Sequence, residues 1–271
     1  MKEKYGVIGC GWLGLPMAKK WLDEGKKVIG TTTNKTKVTS LQELGIHSYL
    51  VQNKVVENDQ KWLSELDYVL LNIPPSSLQE NYSSFMLEIC SFLKPGAKVI
   101  FISSTSVYGM HNQWAKEDDV LDGNRRNSKF VIKAEQELRK LLNDQLTVIR
   151  MAGLIGNGRH PIKFLSGKNV KGGKEPVNLI HINDCIQIID RVILTSSWGE
   201  TFNASSPHHP TKEKYYEFMA KENAAPAGGQ GLPLPHFDHQ PQAYKFIDVD
   251  KLRNELSYTF AVEDLFSFSK I

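Results

Sequence analysis

Short apolar runs alternate with longer amphipathic segments along this chain, and the alternation predicts most of its elements. Tyr5 to Ile8 is apolar and strand-compatible, a glycine-rich turn follows, and Pro16 to Trp21 carries helical spacing until Gly25 closes it. Lys27 to Gly30 predicts a second short strand, and Val38 to Leu44 a second helix. Tyr68 to Ile73 is a continuous apolar run stopped by Pro74-Pro75, which suits a strand covered on both faces of a parallel sheet. A helix is predicted from about Leu78 to Leu93, ended by Pro95-Gly96, and a buried strand from Lys98 to Ile102 runs into Ser103-Ser104-Thr105. Asn127 to Leu142 reads as a helix with charged faces, and Leu146 to Arg150 as a further strand.

Strands alternating with helices at this spacing predict an α/β fold, a Rossmann-type doubly wound parallel sheet. From about Gly153 the rhythm loosens, with helices near Asp184 to Leu194 and Lys212 to Glu222 and a Pro- and Gly-rich loop from Ala224 to Pro235. This last third is expected to be a smaller C-terminal substrate lobe.

Composition changes the picture only by exclusion. The 271 residues are 41% hydrophobic and 23% charged with a net charge of +3, the make-up of an ordinary globular protein. Lys and Arg are scattered, so no nucleic-acid partner is expected. No apolar run approaches the ~20 residues of a membrane span, and the start lacks a signal peptide, so no membrane partner and a cytoplasmic location are expected. Cys10, Cys90 and Cys185 are far apart and read as buried or loop thiols. His236-Phe237-Asp238-His239 sits in the proline-rich loop, and with His208-His209 it lacks metal-ligand spacing, so no metal is expected.

Chemistry enters with Gly9-Cys10-Gly11-Trp12-Leu13-Gly14. Between a strand and a helix, its first glycine permits a tight turn, its second lets the backbone approach a pyrophosphate, and its third lets helix and strand pack closely. The phosphates would sit on the helix N-terminus, with Trp12 and Leu13 beside them. Residues 1–152 are therefore expected to be a dinucleotide-binding Rossmann domain, and 153–271 the smaller lobe, interleaved with the sheet. The second strand ends in Thr31-Thr32-Thr33-Asn34-Lys35, with no acid to bond a ribose 2′-hydroxyl. Thr31, Thr32, Asn34 and Lys35 favour a 2′-phosphate, hence NADP over NAD. Ile73, Pro74 and Pro75 close a strand at the carboxyl edge of the sheet and are expected near the adenine-side ribose.

With that loop and Ser103-Ser104-Thr105-Ser106-Val107-Tyr108-Gly109 in place, the chain resembles the atypical and extended short-chain dehydrogenase/reductases of the NAD(P)-dependent epimerase/dehydratase branch. The resemblance extends to Arg150 through Arg159, similar to the family's segment beside the nicotinamide, to His181-Ile182-Asn183-Asp184, and to Thr201-Phe202-Asn203-Ala204. It implies cofactor contacts at Ser103 and Leu154, and a Ser or Thr at Ser104 that polarises the reacting oxygen. Family enzymes also carry a Tyr and a Lys four residues apart on the next helix. Here those positions hold Asn127 and Val131, and no shift of register supplies the pair.

Tyr108, just after Ser104, and Asn127 are the remaining catalytic candidates, while Arg125 and Arg126 read as a charged turn. His181 is expected to bond neighbouring backbone and Asp184 to favour a helix dipole. Trp114 with Glu117, Asp118 and Asp119 is either a substrate lid or an acidic surface turn. The expectation is an NADP(H)-favouring oxidoreductase, epimerase or dehydratase with a non-standard catalytic site, acting on a small hydroxylated or carbonyl substrate, with a homodimer as the allowed assembly. The alternative is a cofactor-binding sensor or partner-binding module that has lost its chemistry.

Overall fold

Because each apolar run is followed by a helix long enough to return the chain to the start of the sheet, successive strands line up in parallel. The structure, a computed structural model, describes residues 2–52, 60–125, 127–222 and 233–268. Arg126 and most of the expected Ala224–Pro235 loop lie outside the described residues. The first elements are β1 (Lys4–Ile8), α1 (Gly14–Asp23), β2 (Lys27–Thr32), α2 (Lys35–Glu43), β3 (His47–Leu50), β4 (Tyr68–Leu71), α3 (Tyr82–Ser91) and β5 (Lys98–Ser104). There follow β6 (Gln113–Ala115), α4 (Ser128–Leu142), β7 (Leu146–Met151), β8 (Gly153–Ile155), α5 (Ile162–Leu165), β9 (Asn169–Lys171) and β10 (Leu179–His181). The last are α6 (Ile182–Leu194), β11 (Thr201–Ala204), α7 (Lys212–Glu222), β12 (His236–Asp238), β13 (Lys245–Ile247) and α8 (Asp250–Glu255).

Seven strands form one sheet in the order β11-β7-β5-β4-β1-β2-β3, and the pairings from β5 to β3 are parallel. This is the Rossmann-type doubly wound order. Its direction reverses between β1 and β4, and ligands of such sheets bind beyond the carboxyl ends of the strands at that point. Val69, Leu70 and Leu71 of β4 and Val99, Ile100 and Phe101 of β5 are buried, which explains their unbroken apolar runs.

Contacts divide the chain into two units. The first comprises Met1–Val107, Leu121–Arg150 and Val192–Phe202, and the second Tyr108–Val120, Met151–Arg191 and Asn203–Ile271. In the first, β3 carries no apolar run and was not predicted: it is an edge strand with only Ser48 buried. The helix predicted from Leu78 begins instead at Tyr82, because Pro75 starts a 3-10 turn and Gln79 has a left-handed backbone (φ 46°) that interrupts helical continuation.

The second unit is built on parallel pairs of three-residue strands, β8 with β10, β9 with β12 and β6 with β13. Strands this short carry no readable alternation. His236–Asp238, expected in a loop, is thus β12, and Trp114 lies in β6, paired with β13. Ile155, Ile162, Leu179, Tyr215, Met219 and Leu265 form its apolar cluster. Asp184 does more than face a helix dipole: its carboxylate accepts from Tyr258 Oη (2.7 Å) and from the backbone N–H groups of Ala261 (2.6 Å) and Val262 (3.1 Å). It clamps the C-terminal stretch onto the start of α6.

His160 is buried in this unit. Its Nδ1 accepts from the Ile162 N–H (3.1 Å), so Nε2 carries the hydrogen given to Tyr215 Oη (2.8 Å). Burial pushes its pKa down to about 4 from an ordinary 6.5, with Lys163 adding to the shift. Between those values the unfolded chain binds a proton that the folded chain refuses. Stability is therefore complete above about pH 6.5 and falls by roughly 3 kcal/mol as the pH drops to about 4. Urea titrations from pH 7 to 4 should show this loss, and His160→Gln should flatten most of it. A residual slope is expected from His181 and His209, which burial also shifts downward.

Candidate functional site

The glycine loop is held from two sides in the first unit. Gly9 has φ +102°, and a Cβ there would lie 2.7 Å from Asn72 O; a Cβ on Gly14 would lie 2.1 Å from Gly9 O. Neither position admits a side chain. At Gly11 a Cβ would meet nothing within 4 Å, so this exposed glycine is kept open by the backbone alone. The Gly9 N–H donates to Thr31 Oγ1 (2.9 Å), the Cys10 N–H to Thr31 O (2.8 Å), and Asn72 Nδ2 donates to Gly9 O (3.2 Å). Helix α1 then starts with Leu13 as N-cap, no side-chain cap and no acid in its first turn. Its positive end is thereby left for an anion. Trp12 is half-buried and Leu13 buried beneath the turn. Cys10 is inert, its buried thiol pushed up to about 11.

At the end of β2 the structure separates residues that the sequence grouped together. Thr31, 2% exposed, spends its hydroxyl and carbonyl on the glycine loop, and so supports the loop from below. Thr32 is buried and its Oγ1 accepts from the Asn34 N–H (3.2 Å). Asn34 Oδ1 caps α2, accepting from Thr36 N–H (2.9 Å) and Thr36 Oγ1 (2.7 Å). Thr33 and Lys35 are left exposed at the tip. After β4, Ile73 O accepts from Tyr82 Oη (2.9 Å), and Pro74 is exposed while Pro75 opens the 3-10 turn.

Ser103 and Ser104 end β5, yet they face different surroundings. Ser103 is buried and donates to Glu135 on α4, whose carboxylate forms a fork with Arg150 of β7: Nη2 to Oε2 at 2.7 Å, and Nε at 3.2 Å from both oxygens. Both charged side chains are only 7% exposed. Breaking such a pair by removing one member costs about 3–5 kcal/mol, because the survivor is a buried unpaired charge. Sequence reasoning missed this network, although an acid on the apolar stripe of α4 beside Val131, Ala134 and Leu138 was its signal. Ser104 is half-buried, with its Oγ accepting from the Ser106 N–H (3.1 Å).

Asn127 lies one residue before α4 in a left-handed conformation (φ 66°), and its side chain caps nothing. Val131 is buried in the apolar stripe. In the second unit, Tyr108 is buried and donates its hydroxyl proton to Asn203 Oδ1 (2.7 Å), while its carbonyl accepts from Lys245 Nζ (2.7 Å). Asn203 in turn donates to Ala115 O (3.1 Å) and to Glu117 Oε1 (2.7 Å), and burial raises the Glu117 pKa. That commitment of its hydroxyl argues against Tyr108 as a proton donor. Leu154, half-buried, is the middle residue of β8, opposite Ile180. Among the described residues no group of three or more His, Cys, Asp or Glu could hold a metal ion, and no helix is long and apolar enough to cross a membrane.

Residues 4–119 match the family described as the NAD binding domain of 6-phosphogluconate dehydrogenase. Protein YeeZ of Escherichia coli strain K12 is 29% identical over 97% of both chains. A conserved protein of unknown function from Silicibacter pomeroyi superposes with a TM-score of 0.78, at 20% identity over 98% of this chain and 96% of that one. The UDP-glucuronic acid 4-epimerase of Bacillus cereus, solved in complex with NAD, gives 0.77 at 19% identity over 97% and 95%. The fold is therefore the one seen in that NAD-complexed epimerase. In this fold Gly9 to Gly14 forms the turn between β1 and α1, and the space over Gly11 is open.

Two alanine substitutions separate packing from binding at this turn. Gly14→Ala must collide with the Gly9 carbonyl and is expected to destabilise the protein by on the order of 3 kcal/mol. Gly11→Ala should leave the melting temperature unchanged, yet weaken NADPH and NADH binding by about tenfold or more, because its methyl enters the space the pyrophosphate needs. Thermal melts with fluorescence titration read both. Unaltered binding by Gly11→Ala would remove the loop from the cofactor site.

Proposed function

We propose that this protein binds a nicotinamide dinucleotide, NADP(H) in preference to NAD(H), and acts as an epimerase, dehydratase or reductase on a small hydroxylated or carbonyl substrate. The observation that carries the proposal is the open backbone at Gly11 between two sterically closed glycines, set at an uncapped helix start free of acid. Gly9, Gly11, Trp12, Leu13 and Gly14 would hold the pyrophosphate. Asn34 and Lys35 would flank the adenosine ribose, with Ile73, Pro74 and Pro75 on the other side of the turn. When bound, a nicotinamide dinucleotide supplies reversible two-electron chemistry.

The preference for the phosphorylated cofactor rests on charge. Thr31 to Lys35 contains no acid that would repel a 2′-phosphate, and Lys35 is exposed at the start of α2, where its ammonium and the helix dipole act in the same direction. Ser104, half-buried, is the side chain in the first unit that we assign to polarising the substrate oxygen. Ser103, tied to Glu135, holds the end of β5 in place.

A second reading, a cofactor-binding sensor without catalysis, is favoured by one observation: the position expected to carry the family's lysine is Val131, buried on the apolar stripe of α4. The two readings diverge experimentally. Titration should give tighter binding of NADPH than NADH, and Lys35→Glu should weaken NADPH about tenfold while leaving NADH within about twofold. Tighter NADH would overturn the NADP preference. With a substrate panel of small hydroxy and carbonyl compounds, Ser104→Ala should lower turnover about 100-fold at unchanged cofactor affinity. Wild-type turnover at the level of Ser104→Ala would instead support the sensor.

A further inference from the structure

The second unit contains a cavity of about 520 Å³ that the cofactor reading does not use. One wall is Trp114 of β6, 53% exposed and so an expensive side chain to leave facing water. It is nevertheless rigidly held. Strand pairing sets Trp114 opposite Phe246 of β13, their rings stack at 4.7 Å with an interplanar angle of 22°, and the His209 ring meets both edgewise at 5.5 Å. A flat indole is thus fixed beside a cavity whose size lies within the roughly 300–1,000 Å³ of small-molecule sites.

The rim decides the class of ligand. Lys116, Asp248, Asp250 and Arg253 line the cavity together with Ile247, so acids and bases balance. Arg253 is already paired with Glu263 and lies over the Phe260 ring, while Lys116 Nζ stands 3.9 Å from Asp248. An anion seated on Trp114 would therefore approach two carboxylates with no uncommitted guanidinium to offset them. A neutral sugar meets no such penalty. Its C–H face suits the electron-rich indole, and its hydroxyls both donate to carboxylates and accept from an ammonium.

We propose that the cavity beside Trp114 is a binding subsite for a neutral sugar ring. It stands on the second unit alone and is independent of the cofactor assignment. Saturation-transfer NMR on the full chain, with methyl α-D-glucopyranoside, N-acetyl-D-glucosamine and AMP as separate probes, tests it. Transfer should appear on the ring C–H protons of at least one sugar with a dissociation constant on the order of 1 mM. Trp114→Ala should weaken that binding about tenfold or more, Trp114→Phe should keep it within about threefold, and Asp250→Asn should reduce it. Absence of transfer to both sugars at about 20 mM, unchanged binding in Trp114→Ala, or tighter binding of AMP than of either sugar would overturn the proposal. The wild-type titrations decide the matter by themselves if the alanine variant does not fold.

Discussion

Between the end of β1 and the start of α1 the chain must reverse so tightly that a side chain on Gly14 would sit 2.1 Å from the Gly9 carbonyl. That approach brings α1 onto the sheet, and it places the start of the helix after the carboxyl end of β1. The turn does not stand by itself. Thr31 from β2 and Asn72 after β4 hold it from either side, so the two neighbours of β1 in the sheet are also the two supports of the loop. The reversal of strand order between β1 and β4 and the loop geometry are one constraint: only there can a side chain that follows β4 reach the Gly9 carbonyl.

A second constraint works farther along the sheet. Glu135 and Arg150 are charges removed from water, and their mutual fork, with the Ser103 hydroxyl added, is what makes that removal tolerable. The three groups come from α4, β7 and β5, so the network fixes the carboxyl end of β5 relative to the helix across it. Ser104 inherits its position from this arrangement. Its neighbour is committed inward, and alternation along the strand turns Ser104 the other way.

The central sheet was legible in the sequence because strands covered on both faces must be apolar without interruption, as β4 and β5 are. The glycine turn was legible because each of its three glycines answers a different steric demand. The edge strand β3 was not, since one covered position in four residues makes no pattern. The second unit was harder for a related reason: its strand pairs are three residues long, and their partners lie far apart in sequence, as with Gln113–Ala115 and Lys245–Ile247. Site residues divided along similar lines. Thr31 was identified by position, but whether its hydroxyl faced a ligand or the loop depended on a backbone N–H that only the fold brings near. Asp184 was placed at a helix start, yet its partners Tyr258, Ala261 and Val262 are more than seventy residues away.

The absence of a tyrosine and lysine four residues apart on α4 is best understood through packing. Val131 lies one helical turn before Glu135 on a stripe that includes Ala134 and Leu138, all buried. A lysine at this position would bring an ammonium into that stripe, close to a carboxylate already satisfied by Arg150, and the desolvation cost of such a charge is several kcal/mol unless it finds a new partner. Asn127, outside the helix in a left-handed turn, does not stand on the same face as Val131 in the way two helical residues four apart would. A lysine placed at residue 131 alone would therefore not supply such a pair.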